Sequence, residues 1–155
     1  MTVEDGLNGS AGQRVSQETV SAVSNSKPFA PIKMINDKFI DMLFDTGSNS
    51  SLLSIDILEA IGIEYTMEKC DEVLQGVEGT PLQIMGTTVL KTTFNNQSKN
   101  IRFTVLKDKD VGILGLKAMN QMRVLIDTER SLLCCNGLEQ PFLRTSLYTR
   151  KHSRV

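Results

Sequence analysis

A carboxylate stands at the end of an apolar run in Phe44-Asp45-Thr46-Gly47-Ser48. A charged group beside a buried strand is costly unless it is hydrogen-bonded or put to use. Asp45 offers a group that can take or hold a proton, Thr46 a hydroxyl that can fix backbone, and Gly47 a missing Cβ that lets another chain come close. Read alone, the tripeptide is equally a turn after a strand, with the aspartate capping its own backbone. A chance match in a chain of 155 residues has odds on the order of a few per cent at average composition.

The other reactive residues narrow the chemistry. The single histidine, His152, sits in a basic end segment with little to pack, which counts against Ser-His-Asp and Cys-His hydrolases and against histidine-ligated zinc. Cys70, Cys134 and Cys135 make no CxxC pair, so they read as reduced thiols in a cytoplasmic or other intracellular, reducing compartment. No metal site or cofactor is expected, which leaves carboxylates as the general acid and base. A net charge of -1 provides no field favouring nucleic acid or an anionic membrane, and no run of apolar residues is long enough to span a bilayer.

Charge and composition divide the chain into three parts. Residues 1–27 are rich in Gly and Ser and poor in large apolar side chains, and are expected to be disordered. Residues 28–137 are dense in short apolar runs and form the folded domain. Residues 138–155, with Arg144, Arg150, Lys151 and Arg154, read as a basic, flexible tail.

Within the domain the period is mostly two, so the fold is expected to be mainly β. Ile32 and Met34 flank Lys33, Asn36-Asp37-Lys38 offers a turn, and Phe39 to Phe44 returns as a nearly continuous apolar strand, as if buried on both faces. A second hairpin runs from Thr87 to Phe94, turns at Asn95-Asn96-Gln97-Ser98, and continues with Ile101, Phe103 and Val105 alternating with polar residues. Between the hairpins, Ile55 to Ile61 is predicted as a short helix with Ser54 as N-cap and Gly62 ending it. Gly115 to Met122 is a second helix candidate.

Two further features stand at fitting distances from Asp45. The segment Phe44 to Gly62, FDTGSNSSLLSIDILEAIG, resembles the active-site segment of retropepsins, the single-domain aspartic proteases of retroviruses and gypsy-type retrotransposons. Ile113-Leu114-Gly115, then Leu116 to Met122 and the strand Val124 to Asp127, resembles that family's second signature. Gln75 to Pro81 lies where the family places its flap, with Gly76, Val77, Glu78 and Gly79 at the tip. The resemblance covers Pro28 to Leu133 and implies a small, closed β-barrel-like retropepsin fold with one or two short helices, working as a symmetric homodimer.

It further implies an aspartic endopeptidase that holds an extended polypeptide and processes a retroelement polyprotein. Asp45 would be the catalytic residue, supported by Thr46, Gly47 and Ser48. Two carboxylates about 3 Å apart cannot both ionise, so a pair sharing one proton can activate a water. This chain has one such motif; Asp127-Thr128 is followed by Glu129 and lacks the glycine, so the second carboxylate must come from a second copy. Either or both of the segments Pro28–Met34 and Ser131–Cys135 are expected to pair across the two-fold axis. Asn49 and Leu116 stand where retroviral members usually carry an acid and an arginine. The alternative is a retropepsin-like dimer serving as a non-catalytic interaction module.

Overall fold

Apolar alternation sets the first hairpin. The computed structural model describes residues 27–71, 73–74, 79, 81–107 and 110–143. Strand β1 (Phe29–Met34) buries Ala30, Ile32 and Met34, and β2 (Phe39–Phe44) pairs with it antiparallel. The turn between them places Asp37 in the left-handed region (φ 65°), which a short polar side chain tolerates. Burial on both faces of β2 holds only from Met42 to Phe44; Phe39 is exposed and Asp41 half-buried.

The second hairpin is longer and its turn tighter than expected. Strand β4 (Ile84–Phe94) pairs with β5 (Gln97–Leu106) down to Phe94 opposite Gln97. Asn95 and Asn96 alone make the turn, both at positive φ (50° and 63°), so Gln97 and Ser98 belong to the strand. Strand β3 (Ser51–Ser54) leads straight into helix α1 (Ile55–Ile61). The Ser54 hydroxyl accepts from the Ile57 N–H, and Gly62 closes the helix at φ 74°, where its N–H donates to the Glu59 carbonyl. Strand β6 (Gly112–Leu114) is followed by helix α2 (Leu116–Met122), whose N-cap is Gly115.

These six strands close a barrel in the order β1-β2-β6-β3-β5-β4. Two of its joints are parallel, β2 with β6 and β3 with β5, which brings segments remote in sequence side by side. Inside lie Ile32, Met34, Phe44, Leu53, Ile101, Phe103 and Leu114, each at most 2% exposed, and Phe44 tilts against Phe94 with ring centroids 5.2 Å apart. The fold is the mainly β, barrel-like one with two short helices that the sequence predicts.

The C-terminal part departs from expectation. Strands β7 (Leu125–Asp127), β8 (Leu132–Cys135) and β9 (Leu138–Pro141) form a separate three-stranded sheet in the order β7-β8-β9. The ordered structure therefore runs past residue 137, because Asn136 (φ 56°) and Gly137 (φ 75°) turn the chain back into β9. Leu143 then exchanges backbone hydrogen bonds with Phe29 of β1, at 2.7 and 2.8 Å. The edges assigned to a two-fold partner are thus used within the chain. Strand β8 is central in its sheet, and β1 pairs with β2, with β4 at Lys33 and Met34, and with Leu143 at Phe29.

Residues 1–26 and 144–155, which carry most of the expected disordered and basic segments, lie outside the described residues. Among the described residues no helix is long and apolar enough to cross a membrane. The three cysteines are free, and the Cys135 thiol, pushed up in pKa by burial, donates to the Met122 carbonyl at 3.1 Å.

Candidate active site

The parallel pairing of β2 with β6 sets Phe44 opposite Leu114, so the chain leaves β2 at Asp45 beside the point where β6 ends at Gly115. The Asp45 N–H donates to the Leu114 carbonyl at 3.0 Å, extending the ladder by one bond into the loop. Past this point the loop is clasped by the second signature. The Leu116 N–H donates to the Ser48 carbonyl (2.7 Å), the Lys117 N–H to the Asn49 carbonyl (3.4 Å), and the Gly115 N–H to the Ser51 hydroxyl (3.0 Å). The sequence-predicted residues Ile113, Leu114 and Gly115 are therefore brought together with Asp45, Gly47 and Ser48.

Gly115 explains why the clasp can close. A Cβ there would stand 2.4 Å from the Ser50 carbonyl oxygen and 2.8 Å from that of Ser48, and both obstacles are backbone. Its φ of -87° is open to any residue, so close approach alone demands glycine. Gly47 has a milder version of the same constraint, with a Cβ falling 3.2 Å from the Asp45 Oδ1. That oxygen accepts from the Gly47 N–H at 2.9 Å, which aims the carboxylate; no donor among the described residues reaches Oδ2.

Ser48 turns inward, its hydroxyl donating to the Ser50 carbonyl at 2.7 Å. Thr46 is exposed, and its hydroxyl has no hydrogen bond among the described residues. Ser51, 4% exposed, was not singled out from the sequence, although a serine buried in an apolar strand must hold a hydrogen bond. That requirement is the signal that could have found it.

Of the expected flap, Gly76, Val77 and Glu78 lie outside the described residues. Gly79 sits at φ 80°, and below it the Leu82 N–H donates to the Leu74 carbonyl at 2.9 Å, joining the two flanks of the segment.

Asp127 is spent elsewhere. Its Oδ1 accepts from the Arg130 N–H (3.0 Å) and its Oδ2 from Arg130 Nε (2.8 Å), while Arg130 Nη2 also donates to Glu139 (3.0 Å). The backbone N–H and guanidinium of Arg130 hold the Asp127 carboxyl below the usual carboxylate range. Among the described residues no group of three His, Cys, Asp or Glu side chains is placed to hold a metal ion.

Comparison with known proteins bears on this arrangement. The family model described as "gag-polyprotein putative aspartyl protease" matches residues 33–121, a span that contains both Asp45 and Gly115. The chain belongs to this family. The fold of this aspartyl protease-like domain is similar to two solved structures. One is the retroviral protease-like domain of Ddi1 from Leishmania major (TM-score 0.60, 19% identity, covering 76% of this chain and 94% of that one). The other is EIAV protease complexed with the inhibitor HBY-793 (TM-score 0.57, 20% identity, 65% and 92%). In sequence, the domain is 28% identical over 140 residues to DNA damage-inducible protein 1 of Neurospora crassa, covering 84% of this chain and 32% of that protein. It is also 28% identical over 114 residues to the protein of the same name from Phaeosphaeria nodorum, covering 72% and 26%. The chain thus spans about a third or less of these curated relatives.

Proposed function

We propose that the domain is an aspartic endopeptidase whose active unit is a symmetric homodimer, with one Asp45 from each copy. The observation that carries the reading is the Asp45 carboxylate, aimed by the Gly47 N–H and left with an oxygen that no described donor engages. The other Asp-Thr pair is tied to Arg130, so a second carboxylate for a dyad comes from a second chain. Thr46, exposed and without a hydrogen bond among the described residues, would meet its counterpart there. Two such carboxylates share one proton; the ionised one takes a proton from water as it attacks the peptide carbonyl, and the protonated one donates to the carbonyl oxygen.

The family match supports a gag-type polyprotein as substrate, whereas the curated relatives support a place within a longer protein of different context. Common to both contexts is an extended polypeptide as substrate. The segment around residues 75–81, whose flanks are joined by Leu82 to Leu74, would close over it by strand addition.

The test pairs cleavage assays with sedimentation velocity. Asp45→Asn keeps the shape but cannot exchange the proton, so it should fold and dimerise without peptidase activity, and excess variant mixed with wild type should poison it. The wild-type rate should follow a bell with an optimum at roughly pH 4 to 6. Full activity of Asp45→Asn, or of a monomer at every dilution, would overturn the reading.

A further inference from the structure

A cavity of about 330 Å³ opens beside the Asp45 loop. Its walls include Asn49 from that loop, Lys69 and Asp71 from the segment leading toward residues 75–81, Arg102 from β5, and Lys117 and Gln121 from α2. Asp45 to Ser48 do not line it, yet Asn49 follows them directly, and α2 hangs from the same loop through Leu116 to Ser48 and Lys117 to Asn49. The cavity therefore flanks the place where a bond would be cut and does not contain it. An extended peptide advances about 3.3 Å per residue with alternate side chains on one side. A side chain that enters the cavity thus belongs to a residue removed from the scissile bond.

Charge decides which side chain that is. Among the described residues three cations and one carboxylate line the space. Arg102 is committed, since its Nη1 donates to Glu68 at 3.0 Å and to the Thr87 hydroxyl at 3.1 Å. Lys69 and Lys117 have no ion-pair partner among the described residues. Against Asp71, these two lysines leave the described lining with an excess of positive charge. The neutral polar groups add donors: the Asn49 amide carries two N–H bonds, and the Ser51 hydroxyl, which accepts from Gly115, keeps its own proton to give. A concave wall of one sign concentrates its field on whatever enters.

We propose that this cavity selects an acidic side chain, Asp or Glu, two or more residues from the scissile bond, with Lys69 and Lys117 as the specificity-determining residues. The inference rests on reading Asp45 as the peptidase site. A carboxylate gains two cations and several donors there, while a lysine meets like charge, so discrimination comes from repulsion as well as attraction.

The test uses the full chain and peptides identical except for Glu, Gln or Lys at one position, scanned across the four residues on each side of the cut. At one position kcat/KM should fall in the order Glu, Gln, Lys, with about fivefold between the extremes, shrinking as salt is raised. In the Lys69→Glu/Lys117→Glu variant that order should invert. No dependence on charge at any position, or the same order in both proteins, would overturn the proposal. Should wild type cleave none of the peptides, the peptidase reading fails by itself, and fluorescence anisotropy with Asp45→Asn decides the cavity. Tighter binding of the Glu peptide, inverted by the two lysine reversals, upholds the selection; equal binding overturns it.

Discussion

Asp-Thr stands at the end of two strands, β2 and β7, and the two aspartates are held to different degrees. Asp45 is positioned by backbone: its loop hangs from Leu114, Gly115 and Leu116, and a single N–H aims its carboxylate. Asp127 has no oxygen left over: Oδ1 is taken by the Arg130 backbone N–H and Oδ2 by the Arg130 guanidinium. A carboxylate that is to exchange protons must be fixed without being consumed, and backbone hydrogen bonds around a glycine achieve that. An arginine achieves fixation by stabilising the charge, which removes the group from acid-base work.

The contrast can be broken most forcefully at Gly115. Gly115→Ala drives a Cβ against the Ser50 carbonyl, so the loop or β6 must shift, at a cost of about 3 kcal/mol. The displaced Asp45 should lose about 100-fold in kcat, because misplacement by an ångström is enough. Denaturant titration and cleavage assays measure both, and an unchanged variant would mean that the clasp does not position Asp45.

A smaller effect is expected at Ser51. Ser51→Ala leaves the Gly115 N–H without its acceptor in a buried position, which should cost about 2 kcal/mol. Ser51→Thr should restore most of it, since the hydroxyl survives. Equal stability of the alanine variant and wild type would show that another acceptor replaces the serine.

The smallest effect belongs to Arg130, which is exposed. The folded Asp127 pKa lies below its ordinary value of 3.8, so its contribution is present above that pH and is lost as pH falls through the folded value. Arg130→Ala should melt slightly below wild type at pH 7, with the gap narrowing in acid and leaving peptidase activity intact. Melting curves at pH 7 and at about pH 2.5 check the sign, and a gap that widens in acid would contradict the linkage.

Much of the barrel was legible because its signals are local. Ser54 and Gly62 bracket α1 as the capping rules require, and the alternation around Ile101, Phe103 and Val105 marks β5. The meeting of Phe44-Asp45 with Leu114-Gly115 was legible only through family resemblance, since parallel pairing leaves no turn signal between partners. Strand β9 was missed although Asn136-Gly137 is a strong hairpin signal, because its exposed residues resemble a tail. Neither the partner of the Ser51 hydroxyl nor the gathering of Lys69 and Lys117 around one cavity could be read locally, since each depends on contacts between segments remote in sequence.

The clasp also orders events in time. Gly115 and Ser51, which it joins, are 64 residues apart in sequence, and such non-local contacts place a domain among the slower folders, on the order of milliseconds to seconds. A nascent chain that has exposed Asp45 and β3 still lacks β6 and α2, and with them every bond from Leu114, Gly115, Leu116 and Lys117 that shapes the loop. Asp45 is therefore synthesised long before it is held in place, and a ribosome carrying a half-finished copy carries no assembled site.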